Sequence, residues 1–393
     1  MAGYVVFLSI LSFGAWIYLV FYRGNFWRVG ETLPREAASR EKWPSVVTIV
    51  PARNEAAVIN TSVKALLKQD YPGKLKILVV DDQSRDRTGK VAMRAAEASE
   101  SPISFSVMAG SPPPADWTGK MWALSQGVSK MSQSVPDADY YWFTDADIVH
   151  SKSCLRRLIQ KAEDGDQDLV SLMVKLESKS IWELLLIPPF VYFFKKLYPF
   201  EWISDPTKKT AGAAGGCLLL RKEALDNIGG IDSIKNALID DCTLADRVKR
   251  FGRPDGGKVW LGLTARSKSI RPYNGLRDIW KMVARSAYTQ LDYSPLKLLG
   301  TILGMIVVYL IPPLAVATWP LHQNDLALYA GGASWLLMSY TFWPTLRLYS
   351  IPIWLAPSLP IAAGFYTLMT IDSAISHWRG KGGEWKGRTQ AAH

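Results

Sequence analysis

Residues 4–22, YVVFLSILSFGAWIYLVFY, carry no charged side chain and are long enough to cross a hydrocarbon layer as a helix. A run this apolar on every face belongs in lipid, so the chain is predicted to start with a membrane helix. Nothing basic precedes it and no small-residue cleavage pattern follows, which argues against a removable signal peptide. Arg23 and Arg28 come next, and the positive-inside rule places residue 23 onward on the cytoplasmic side. Three further uncharged runs, 298–321, 326–346 and 348–371, are each long enough to span. The expected organisation is an N-terminal anchor (1–28), a polar domain (44–290), a C-terminal membrane region (296–376) and a basic tail (377–393).

Three full crossings after a cytoplasmic domain would leave that tail outside, against the same rule. Pro312 and Pro313 interrupt one run, and Pro352, Pro357 and Pro360 another. The Pro-rich 351–361 stretch is therefore expected at the membrane surface rather than across it. Segment 181–202, IWELLLIPPFVYFFKKLYPFEW, is apolar but broken by Glu183, a Pro pair and two Lys. It reads as an interfacial face lying on the bilayer.

The formal net charge of +11 raises nucleic acid as a partner. The basic residues instead crowd beside apolar segments, as in FFKKLYPFEW (193–202) and RGKGGEWKGR (379–388), which favours a membrane surface and no nucleic acid. Cys154, Cys217 and Cys242 are scattered and odd in number, so neither a disulfide framework nor a zinc pattern is expected, and they read as core thiols.

Within 44–290, strand-like runs alternate with helical patterns: VVTIV, EAAVINTSVKALLKQ, KILVVDD, RTGKVAMRAAEA. The alternation predicts an α/β fold, a mostly parallel sheet flanked by helices. Ligands of such sheets bind beyond the carboxyl ends of the strands. Those ends carry Arg53, Asn54 and Glu55, then Asp81 and Asp82, then Asp145 and Asp147 in YYWFTDAD. Two carboxylates one residue apart repel unless a cation lies beside them. Mg²⁺ or Mn²⁺, which takes one or two carboxylates and substrate phosphates, satisfies that requirement. Asp86 in QSRDRT is expected to cap a helix. In IDDCTLADRVKRFG, Asp240 is expected to cap and Asp241 to face the cleft as a general base. TAGAAGGCLLL (210–220) offers small residues, which suit either close ligand approach or tight packing.

PARNE, VVDDQS, WTGKMWAL, TDAD, GAAGGC and IDDCTLADRVKRFG, in this order over residues 44–290, resemble a family 2 glycosyltransferase of the GT-A fold. The longer stretches SLMVKLESKSIWELLLIPPFVYFFKKLYPFEW and ALIDDCTLADRVK, with the flanking membrane segments, are similar to bacterial hopene-associated glycosyltransferases. The resemblance implies an inverting transfer from a nucleotide sugar, usually UDP-linked. It implies Pro51, Arg53, Glu55, Asp81, Asp82 and Lys120 as donor-binding residues. Asp145 and Asp147 would hold a metal-bound diphosphate, Asp241 would be the base, and the enzyme would sit in the bacterial inner membrane with its catalytic domain in the cytoplasm. Processive members carry Gln, two residues, then Arg-Trp after the base. Here the stretch is KMVARSAY (281–288), with Arg285 kept as a diphosphate contact and Met282 and Ser286 in the Gln and Trp places. Motifs flanked by spans imply a lipid acceptor: a hopanoid, a polyprenyl phosphate or a diacylglycerol. A polysaccharide synthase and a non-catalytic nucleotide-sugar or lipid binder are the competing readings.

Overall fold

The computed structural model describes residues 2–36 and 40–380, with the backbone of 384–385 and 388–389. Most of the basic tail thus lies outside the described residues. The polar region builds eight strands: β1 Val46–Ala52, β2 Leu75–Asp81, β3 Ser104–Ala109, β4 Tyr140–Thr144, β5 Ile148–His150, β6 Leu169–Lys175, β7 Cys217–Arg221 and β8 Val259–Ser269. They form one sheet in the order β3-β2-β1-β4-β7-β6-β8-β5. β3, β2, β1 and β4 run parallel, joined by the crossover helices that the alternation predicted. β7 runs against both neighbours, which makes the sheet mixed.

Side chains alternate across this sheet as strand geometry requires. Val47 and Ile49 of β1 enter one core with Tyr141 and Phe143 of β4; Val46 and Val50 enter the other with Tyr140 and Trp142. The second core is closed by helices Ile59–Leu66, Thr88–Glu97 and Cys154–Asp164. The first continues into the membrane region, through Trp16, Tyr192, Tyr309 and Tyr366.

Among the described residues, three helices are long and apolar enough to cross a membrane: Gly3–Phe21, Pro295–Ala317 and Ile353–Trp378. The Asp325–Leu348 helix between them is as long but less apolar. Tyr4, Phe7, Leu296, Leu336 and Leu368 stand exposed on this bundle, a surface suited to lipid. Pro312 and Pro313 do not break their helix. It widens into a π-turn at Ile306–Leu310 and continues as Ile311–Ala317. Pro312 has no N–H for the carbonyl of Val308, and the Trp16 indole donates to that oxygen instead, at 2.8 Å.

The chain reverses at Ser350, whose φ is 59°. Residues 353–358 run back along the Asp325–Leu348 helix until the Trp335 indole donates to Pro357 O at 3.0 Å. The Leu359–Trp378 helix then returns: Trp280 Nε1 donates to Asp372 at 2.7 Å, and His377 stacks on Tyr293 at 4.3 Å. At the other end of this hairpin, Lys175 lies over the Tyr349 ring at 5.4 Å. Tyr349 before the Pro-rich segment and Asp372 after it therefore both meet the α/β domain or the residues that follow it.

Segment 181–202 forms a helix, Ile181–Leu197, and its apolar residues turn mostly inward. Leu186, Ile187, Val191 and Tyr192 are buried, with Tyr192 hydroxyl against Thr341 at 2.8 Å and Leu186 O accepting from Tyr366 at 2.8 Å. Glu183, which looked like an interruption, closes a capping box with Ser180 and also accepts from Tyr273 N at 3.0 Å.

Candidate active site

The carboxyl ends of β1, β2 and β4 lie in register, with Ala52 opposite Asp81 and Ile49 opposite Phe143. Beyond them opens a cleft of about 730 Å³ lined by Pro51, Arg53, Glu55, Lys120, Asp145, Asp147, Asp241 and Arg285. Of the residues singled out from sequence, these eight share one hollow; Asp81 and Asp82 stand behind it.

Asp81, expected to contact the nucleoside, also holds the loop behind it. Its two oxygens accept from Ser84 N and Gly89 N, both at 3.0 Å, so the carboxylate shapes the loop after β2. A Cβ on Gly89 would stand 2.6 Å from that carboxylate, which is why glycine is needed there. Asp82 is buried under Arg53, whose guanidinium donates to Asp82 O at 2.6 Å and lies 3.8 Å from its carboxylate. Asp86 accepts from Thr88 N at 3.1 Å at the start of the Thr88–Glu97 helix and bridges to Ala56 N at 2.9 Å.

Asp145 and Asp147 follow β4. Asp145 lies 3.2 Å from the Lys120 ammonium; Asp147 accepts from Ser269 Oγ at 2.6 Å and lies 3.5 Å from Arg271. Burial first, and then Asp147 and Asp240, push the Asp145 carboxyl above its ordinary range against the pull of Lys120. Beneath this turn, His150, Cys154 and Cys217 bring their nitrogen and sulfur atoms within 4.8 Å of one another. Thr144 Oγ1 holds His150 Nε2 at 2.8 Å and Ser267 Oγ meets Nδ1 at 2.9 Å, so this buried knot fixes the turn that carries both aspartates. The cysteines are free and buried, as core thiols should be. The gathering of Cys154 and Cys217 around His150 was hidden by their separation in sequence.

Asp240 and Asp241 open the Asp240–Phe251 helix. The expected roles are redistributed. Asp240 makes no capping bond; it pairs with Lys120 at 2.9 Å. Asp241 takes the backbone amides, accepting from Gly215 N and Cys242 N at 2.8 Å each. Burial, and then the neighbouring Asp240, raise its pKa to about 6, while Lys120 and the two amides act the other way. Burial works against the Lys120 ammonium too, yet Asp145, Asp240 and Asp241 outweigh it and hold its pKa above the usual lysine value. Lys120 thus ties Asp145 to the Asp240–Asp241 pair. Gly215 makes this possible: a Cβ there would stand 3.0 Å from Lys120 Nζ.

Arg271 was missed from sequence. It follows β8 and pairs with both Glu55 and Asp147, so it crosses the floor of the cleft; nothing in SIRPYN marks it. Arg285 lines the cleft with its Nε lacking a hydrogen-bond partner among the described residues. It also lines a second cavity, about 390 Å³, that opens from Asp241 towards Phe193, Met305 and Tyr366.

Residues 47–229 match the family model of glycosyl transferase family 2. Over those residues the chain is similar to family 2 glycosyltransferases. A mannosyltransferase from Pyrobaculum calidifontis, solved with GDP-Man and Mn²⁺, has the same fold: TM-score 0.56 and 17% identity, over 94% of this chain and 99% of that one. A probable glycosyltransferase of Bacillus subtilis (strain 168), YdaM, is 26% identical over 247 residues, 58% of this chain and 55% of the relative. An N-acetylglucosaminyltransferase of Rhizobium leguminosarum bv. viciae is 41% identical over 78 residues, 20% of this chain and 18% of its own length. The chain spans about half or less of these curated relatives. The matched residues supply Pro51 through Gly216 of the cleft, and Asp240, Asp241, Arg271 and Arg285 come from beyond them.

Proposed function

We propose that this protein is a membrane-bound inverting glycosyltransferase that moves a sugar from a nucleotide donor, UDP-linked, to a lipid. The observation that carries the reading is the position of Asp241, at the junction of the carboxylate-lined cleft and the apolar cavity walled by membrane helices. The donor lies in the cleft, with Arg53 and Glu55 towards its nucleoside and Arg271 and Arg285 towards its diphosphate. The acceptor reaches Asp241 from the apolar side.

Asp145 and Asp147 suit a hard divalent cation, Mg²⁺ or Mn²⁺. Each keeps one carboxylate oxygen without a hydrogen-bond or ion-pair partner among the described residues, and their mutual repulsion is incompletely relieved by Lys120 and Arg271. When bound there, such an ion neutralises charge on the leaving diphosphate. The protein's own groups do the rest. Asp241 takes the acceptor's hydroxyl proton as that oxygen attacks the anomeric carbon, and the bond to the diphosphate breaks on the opposite face. Gly215 N and Cys242 N aim the carboxylate, and its raised pKa matches a base working near neutrality.

The finer likeness to hopene-associated enzymes belongs to this reading, with a hopanoid among the lipids to test. So does the location, a bacterial inner membrane with the α/β domain in the cytoplasm, where nucleotide sugars are made. The test is nucleoside diphosphate release by the full-length protein in nanodiscs, with donor, lipid extract and Mn²⁺. Release is expected to need both metal and lipid. Asp241→Asn is expected to lose about 10²–10⁴-fold in kcat while still binding donor, the usual share of a general base. Near wild-type turnover by that variant would refute the assignment.

A further inference from the structure

Three interior lysines among the described residues have polar partners, and Lys196, which lines the apolar cavity, has none. Lys249 donates to four carbonyls, those of Trp202, Ile203, Asp205 and Thr210, at 2.7–3.1 Å. Lys120 holds Asp145 and Asp240. Lys195 donates to Trp27 O at 3.3 Å. Lys196, the next residue, lines the cavity and has neither a hydrogen bond to its ammonium nor an ion pair among the described residues. Its Nζ lies over aromatic faces, 4.6 Å from the Tyr309 ring centre and 5.4 Å from that of Phe193.

An ammonium held among apolar side chains without a counter-charge is unfavourable, and its natural relief is an anion. The carboxylates on the same wall do not serve. Asp145 and Asp240 are held by Lys120, and Asp241 by two backbone amides. Two more cations sit close by. Arg285 lines the same cavity with its Nε unpartnered. Arg23, at the end of the first membrane helix, donates to the backbone carbonyls of Lys196 and Leu197 and stacks on Trp202 at 4.7 Å. The opposite wall is membrane helix: Thr301 and Met305 on one side, Tyr366 and Thr370 on another.

From this placement we infer that the acceptor is a phosphate-bearing lipid whose anionic group pairs with Lys196, with its chain along the Met305–Tyr366 wall and its nucleophilic oxygen at Asp241. This rests on the glycosyl-transfer reading above and narrows its acceptor. A bond forms between the lipid oxygen and the anomeric carbon, the bond from that carbon to the diphosphate oxygen breaks, and its electron pair leaves with the nucleoside diphosphate. The proton passes to Asp241, from the headgroup hydroxyl of a phosphatidylglycerol or from the monoprotonated phosphate of a polyprenyl phosphate. Both lipids share the chemistry that Lys196 reads.

The full-length protein in nanodiscs of phosphatidylcholine, which has no free hydroxyl, is given donor, Mn²⁺ and one test lipid. The test lipids are diacylglycerol, a pentacyclic triterpenoid alcohol, phosphatidylglycerol and a polyprenyl phosphate. One or both acidic lipids are expected to support nucleoside diphosphate release at least tenfold faster than either neutral alcohol, and the glycolipid mass identifies which. Lys196→Met is expected to raise the acceptor KM at least tenfold with donor KM unchanged, and Lys196→Arg to restore it. Equal use of a neutral alcohol, or indifference to Lys196→Met, overturns the inference and leaves the transferase reading intact. Release with none of the lipids, by protein that still binds donor, overturns both. The comparison among lipids uses the wild-type protein alone, so a misfolded variant does not blunt it.

Discussion

Lys120→Met offers a test of how the cleft sets its base. Lys120 Nζ and Asp241 Oδ2 lie 3.0 and 3.5 Å from the same point, the position of a Cβ on Gly215, and so are no more than 6.5 Å apart. At that separation a unit charge is worth about 1.3–2.5 kcal/mol for an effective dielectric of about 20–40, or roughly one to two pH units. The ammonium favours the ionised carboxylate, so removing it raises the pKa of Asp241. A base must be ionised to act, and in the native protein kcat/KM is expected to fall about tenfold per pH unit below about 6. In the variant that acid limb should begin between about 7 and 8. At pH 7 the fraction of ionised base drops from about nine-tenths to between about a half and a tenth. The assay is steady-state nucleoside diphosphate release between pH 5 and 9 at saturating donor. An acid limb that stays put or moves to lower pH would refute this electrostatic account of the site.

Three further outcomes follow from other contacts. Asp147→Ala is expected to abolish the tightening of donor binding by Mn²⁺, read by calorimetry with and without the ion; unchanged metal dependence would remove Asp147 from the metal site. Arg271→Ala breaks the bridge between Glu55 and Asp147 and should raise donor KM about tenfold, since a charge-assisted hydrogen bond is worth about 1.5–3 kcal/mol. Ser180→Ala opens the capping box of the Ile181–Leu197 helix and should cost about 1 kcal/mol, seen as a lower Tm with donor affinity unchanged.

The strand ends were legible because two local signals coincide there, an apolar β-branched run and an abrupt carboxylate. VVTIV, KILVVDD and YYWFTDAD each give their strand and their place at the carboxyl edge. What sequence could not give was the partner of each carboxylate. Asp81 holds the loop behind it, and Asp240 pairs with Lys120 where a helix cap was expected while Asp241 faces the cleft held by Gly215 N, because the partners Gly89, Lys120 and Gly215 come from three separate connections. Hydrogen bonds between residues far apart in the chain leave no periodic trace. Arg271 was hidden for the same reason. The prolines misled in a different way. A proline inside an apolar run signals a missing backbone donor, and whether the helix then stops depends on what replaces it. At Pro312 a tryptophan on another helix does so, and the helix continues.

The membrane region is therefore more than an anchor. A soluble domain could have offered Asp241 to water, but here the cavity beside it takes its walls from the Pro295–Met305 and Leu359–Trp378 helices. The second of these reaches the site only because the chain turns back at Ser350 and returns to Trp280 and Tyr293. A full crossing by the Pro-rich segment would have carried Asp372 away from Trp280 and opened the cavity on that side. The same reversal brings the Leu359–Trp378 helix back beside the α/β domain. The proline pattern thus decides whether the Leu359–Trp378 helix returns to wall the cavity beside Asp241.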